Sequence, residues 1–79
     1  MTREEILNVL KEIFKETFGE EIPLTESISA KDVKGWDSLT HIAIISSVEE
    51  RFNMKFKMKE VLAMQNIGDM ITIIEGNVN

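Results

Sequence analysis

Residues 2–19, TREEILNVLKEIFKETFG, commit this chain to helix packing before anything else is read. Ile6, Leu7, Val9, Leu10, Ile13, Phe14 and Phe18 recur at helical spacing, with Lys11, Glu12, Lys15 and Glu16 in the gaps. Thr2 and Glu5 stand three apart as a capping box, and Gly19 offers a stop. The pattern predicts a helix over Arg3–Phe18 with one apolar stripe. That stripe must be buried against other elements. A chain of 79 residues has room for one domain, over residues 1–79, with a core that is mostly local in sequence.

The rest of the chain supplies the partners. Glu20 to Trp36 keeps no period, and Pro23, Thr25, Ser27, Ser29 and Gly35 favour a loop. The loop is long, and Ile22, Leu24, Ile28 and Val33 read as anchors that pin it across a helical core. A short helical turn fits around Ala30–Val33. Asp37 is a good cap for a second helix over Ser38–Phe52, which Asn53 can close in a left-handed conformation. Met54–Met58 reads as a connector and Lys59–Met64 as a short helix. The alternation in MKFKMK has no second strand to pair with, so it is not read as one. Asn66 caps a last helix whose apolar face is Ile67, Met70, Ile71 and Ile74; Asp69 sits near its positive end and Gly76 is expected to end it. The expected fold is all-α: a small four-helix bundle, three longer helices and one short, with a long loop between the first two.

On the second helix, at about 100° per residue, Ile44, Ile45, Val48 and Phe52 share a core face with His41 at its edge. Leu39, Ile42, Ala43 and Ser46 lie opposite, with Glu49 and Glu50 further down the same side. A surface helix needs only one apolar stripe. The second patch either packs under the long loop, at Leu39 above all, or forms a docking face for partner proteins.

Ser38 is expected to point into solvent at the start of that helix, where free backbone N–H groups and the positive end of the dipole favour a phosphate. Gly35 permits a tight turn just before it, and Trp36 can tie the turn to the core. Position alone also allows Ser38 to be a second capping residue.

The stretch GWDSLTHI resembles the Asp-Ser-Leu attachment motif of acyl carrier proteins. The resemblance runs through nearly the whole chain: a first helix of this length, a long loop ending in the motif, a helix bearing the serine, and the closing NIGDMITII. It implies a non-catalytic four-helix carrier. In that family a phosphopantetheinyl transferase moves 4′-phosphopantetheine from coenzyme A onto the residue matched by Ser38, and the terminal thiol of the arm holds acyl groups as thioesters. A protein with no cysteine would thus perform thiol chemistry. By the same resemblance Asp37 caps the helix and helps the transferase position its metal, and Leu39 contacts arm and transferase. Ile42, Ala43, Ser46, Glu49 and Glu50 match the face that meets acyl-loading and acyl-transfer enzymes. The chain departs from the family in charge. Residues 1–37 carry a balance of −4 and residues 38–79 only −1, with Lys55, Lys57 and Lys59 around the third helix. Weak steering of basic enzymes follows, and with it a specialised biosynthetic pathway served by a dedicated enzyme.

Several classes are set aside. A net charge of −5 disfavours nucleic acid. No apolar run spans a membrane and MTREEIL is not a secretory signal, so a cytoplasmic monomer is expected. His41 with Ser38 lacks the elbow and the orienting acid of a hydrolase. Asp32, Gly35 and Asp37 do not space as a calcium loop, and no metal is expected. Met54, Met58, Met64 and Met70 read as core filler, or as an adaptable interior that admits an acyl chain. A peptidyl carrier, and a helical adaptor with no prosthetic group, stand as the rival readings.

Overall fold

A computed structural model describes residues 1–78. The chain forms α1 (Arg3–Phe18), a single 3₁₀ turn (Ala30–Asp32), α2 (Ser38–Phe52), α3 (Met58–Ala63) and α4 (Ile67–Val78). No strand occurs among the described residues, and none of the helices is long and apolar enough to cross a membrane.

The caps explain the boundaries. Thr2 Oγ1 accepts the Glu5 amide at 3.1 Å, and Glu5 Oε1 accepts the Thr2 amide at 2.7 Å, closing the capping box of α1. Gly19, at φ 76°, ends α1, and Asn53, at φ 52°, ends α2, both in the left-handed conformation. Asn66 Oδ1 accepts the Asp69 amide at 2.8 Å at the head of α4. Three boundaries differ from expectation, one of them the end of the short helix, at Ala63 instead of Met64. The short helix begins one residue earlier, at Met58, because Glu60 reaches back to accept the Lys57 amide at 2.8 Å and sets the first turn there. The last helix runs past Gly76 to Val78. Gly76 has open space around it, and Asn77 Nδ2 donates to the Ile73 carbonyl at 2.8 Å, satisfying an acceptor that the expected stop would have left bare.

One apolar core joins the helices. Ile6, Leu10, Ile13 and Phe14 of α1 meet Ile44 and Val48 of α2 and Ile67, Met70, Ile71 and Ile74 of α4. Ile45 and Phe52 pack at its margin, half-buried. The methionines divide. Met54 and Met70 are buried and Met64 half-buried, but Met58 is 72% exposed, so it fills no core.

The long loop is ordered by its anchors. Leu24 and Val33 are buried, and Ile22 and Ile28 pack on the core. Its backbone also does what no residue type announces: the carbonyls of Ile28 and Glu26 accept the Ile67 and Gly68 amides, each at 2.8 Å. These bonds satisfy two N–H groups that the start of a helix otherwise leaves open. Gly68 permits the approach, since a Cβ there would stand 3.1 Å from the Glu26 carbonyl oxygen. Arg3 completes the joint. Its guanidinium pairs with Glu26 at 2.6 Å and Glu75 at 3.0 Å, linking α1, loop and α4.

Candidate functional site

The turn before α2 is built by residues that leave Ser38 unused. Gly35 takes φ 91°, a conformation open to glycine. Asp37 Oδ1 accepts the Leu39 and Thr40 amides, both at 3.0 Å. Thr40 Oγ1 accepts the Asp37 amide at 2.8 Å and donates to the Gly35 carbonyl at 2.8 Å. The cap is therefore complete without Ser38, whose hydroxyl makes no hydrogen bond among the described residues. Ser38 is exposed and begins the helix. The reading of Ser38 as a second cap is overturned: Asp37 and Thr40 hold that role. The amides of Thr40 and Leu39, with the Thr40 hydroxyl, hold the Asp37 carboxyl below its ordinary value and keep it ionised.

Trp36 fixes the turn to the bundle. Its ring meets Phe14 edge-on at 5.1 Å and stacks with His41 at 5.9 Å. Trp36 Nε1–H donates to His41 Nδ1 at 3.1 Å. Accepting at Nδ1 places the proton of the neutral imidazole on Nε2. Burial lowers the His41 pKa from its ordinary value and favours that neutral ring. His41 thus sits half-buried at the edge of the core. It lies beside no orienting carboxylate of the kind a hydrolase requires.

A cleft of about 310 Å³ opens beside Ser38, lined by Trp36, His41, Met64, Asn66 and Met70 among others. Its walls join the turn, α2, the α3–α4 connection and α4. The sequence reading places neither Thr40 nor Asn66 in a site, and takes Met64 and Met70 only as core filler or as an interior that admits an acyl chain. Thr40 had a legible signal, three residues after a capping aspartate; the others meet only through the tertiary fold.

On the outer face of α2, Leu39 is 79% and Ile42 63% exposed, so Leu39 does not pack under the loop. The loop's own anchors turn inward elsewhere and leave that face bare. Ala43, Ser46 and Glu50 are exposed beside them. Glu49 is half-buried: one oxygen accepts the Phe56 amide at 2.8 Å and the other stands 3.9 Å from Lys55 Nζ. It fixes the α2–α3 connector. Among the described residues no group of three His, Asp or Glu side chains is placed to hold a metal; Asp32 is spent on the Ser29 amide at 3.0 Å.

An exposed serine with no internal bond, at a capped helix start beside an apolar cleft, is a place to attach something. The family model for the phosphopantetheine attachment site matches residues 8–74. The chain belongs to that family. Its relatives include the acyl carrier protein of Exiguobacterium sibiricum, 30% identical over 79 residues, 99% of this chain and 100% of that one. The acyl carrier protein of Thermotoga maritima is 31% identical over 75 residues, 94% of this chain and 93% of that one. The solution structure of the holo acyl carrier protein from Geobacter metallireducens superposes with a TM-score of 0.83 at 35% identity. That match covers 89% of this chain and 82% of the other. Like the rest of this family, the phosphopantetheine carrier is not a catalyst: it carries acyl groups on covalent 4′-phosphopantetheine.

Proposed function

We propose that Ser38 is the residue that carries the arm. The observation that supports this most is its hydroxyl: exposed, unbonded, and released from capping by Asp37 and Thr40. In the loading step Ser38 Oγ attacks the phosphorus of coenzyme A that bears the pantetheine. The bond from that phosphorus to the adenosine bisphosphate portion breaks, and the hydroxyl proton passes to a base of the phosphopantetheinyl transferase. The bound arm supplies a thiol that takes acyl groups as thioesters. Asp37 keeps the helix start in place and offers its outer oxygen to the transferase's metal. Leu39 meets the arm and the transferase.

The exposed face of α2, formed by Leu39, Ile42, Ala43, Ser46 and Glu50, receives the acyl-loading and acyl-transfer enzymes, with Glu49 framing its lower end. Ala43 and Ser46 are small and neutral there, and Lys55, Lys57 and Lys59 are exposed at the entry to α3. That charge pattern supports dedicated partners of a specialised cytoplasmic pathway.

Incubation with coenzyme A and a broad-specificity phosphopantetheinyl transferase, followed by intact mass, tests the reading. One added phosphopantetheine in the native protein and none in Ser38→Ala is expected. No addition, under conditions that modify a control carrier, refutes it; so does addition to Ser38→Ala.

A further inference from the structure

We infer that His41 binds the phosphodiester of the arm, its Nε2–H donating to a phosphate oxygen while Trp36 holds the ring from the other side. This rests on Ser38 as the point of attachment. Ser38 and His41 are three residues apart on one helix, a spacing that makes side chains neighbours, and both line the same cleft. The indole of Trp36 occupies His41 Nδ1 and stacks on the ring. Both the tautomer and the orientation are therefore set before any arm is present. The one ring nitrogen without a partner among the described residues is Nε2, and in this tautomer it is a donor.

A phosphodiester is anionic at every physiological pH and accepts such a bond. Nothing else lining the cleft competes for it as a cation. Of its residues only Asp37 and His41 ionise, while the 3₁₀ turn, the α3–α4 connection and α4 contribute the uncharged Ala30, Met64, Asn66 and Met70. The Asp37 carboxylate spends Oδ1 on the Leu39 and Thr40 amides and, as an anion, cannot itself bind the phosphate. The consequence is that the root of the arm is steered along the cleft instead of leaving Ser38 at random.

The chain has a single histidine, so its imidazole can be followed without ambiguity. Apo and holo protein are titrated by NMR, reading the ring nitrogens of His41 and, in the holo form, the phosphorus resonance. The mass increment is verified first; its absence refutes the attachment at Ser38 and is distinguishable from failure here. A phosphodiester does not itself titrate near neutrality. The expected result is a phosphorus resonance that moves through the histidine range with the midpoint of His41, a His41 midpoint higher in holo than in apo protein, and an Nε2-protonated neutral ring in both. In holo H41Q the phosphorus signal is expected to stay flat. A flat phosphorus signal in the native protein, an unchanged His41 midpoint on loading, or an Nδ1-protonated ring in the holo form overturns the inference. A role for His41 in packing alone would change stability and leave the phosphorus resonance still.

Discussion

Ile42 and Ile44 are the same side chain on the same helix, two positions apart, yet Ile42 is 63% exposed and Ile44 fully buried. Replacing each with alanine isolates burial, because both changes gain the same helix propensity, roughly 0.4 kcal/mol. At position 44 the removed methyl and methylene groups lose transfer energy of about 0.8 kcal/mol each, and the α1–α2–α4 core is left with a cavity. The expected net cost is about 2–4 kcal/mol. At position 42 most of the side chain already lies in water, the small transfer loss and the propensity gain nearly cancel, and the net is within about 0.5 kcal/mol. A domain of this length has roughly 4–12 kcal/mol in total, so the first change is severe and the second silent. Urea unfolding followed by helical circular dichroism and Trp36 fluorescence reads the difference. With a slope of about 1 kcal/mol per molar, Ile44→Ala should lower the midpoint by about 2–4 M and Ile42→Ala by less than about 0.5 M. Equal shifts, or a larger one at Ile42, would mean that the assignment of inner and outer faces of α2 is wrong.

Stability should also depend on pH in two separate stages. Folding holds His41 neutral where the unfolded chain, with an ordinary value of 6.5, has already bound a proton. Acidification through that range therefore favours the unfolded state, and the melting temperature of the apo protein should begin to fall there; H41Q should remove this first stage. The carboxyls of Glu5, Glu26, Asp32 and Asp37 are held below their ordinary values by their hydrogen bonds. What they contribute is present above the ordinary carboxylate range and is lost as pH falls through their lowered folded values, giving a second decline in both proteins. Gly35→Ala should cost about 1–2 kcal/mol in the urea assay, because the left-handed backbone is strained for any residue with a Cβ. Space is not the obstacle, since that Cβ would sit 3.6 Å from the Phe18 ring; an unchanged midpoint would show that the turn does not need its glycine.

What was legible in the sequence was whatever local chemistry announces. α1 and α2 were readable to the residue because Thr2, Glu5 and Gly19 bound one, and Asp37 and Asn53 the other, by short-range hydrogen bonds. Ser38 stands out by its place at the head of α2 and by the motif around it, GWDSLTHI. Gly76 misled because glycine weakens a helix without forbidding it, and nothing in residue type reveals that Asn77 would support the last turn. Apolarity alone assigns Met58 to the core, because it does not say which way a side chain points from a helix of six residues. The bonds from the loop to α4, the joint around Arg3 and the cleft beside Ser38 were invisible. Each joins backbone or side chains far apart in sequence, and backbone carbonyls carry no signature in the letters of a chain.

The bonds from Glu26 and Ile28 to the head of α4 have a mechanical meaning. They moor the segment leading to Ser38 at its middle, while the Trp36–Phe14 contact moors it at its end. The serine is thus a fixed post instead of the tip of a swinging tether. With Ser38 as the proposed root of the arm, the reach of a loaded cargo would come from the prosthetic chain itself, and an enzyme docked on α2 would find that root at one constant place.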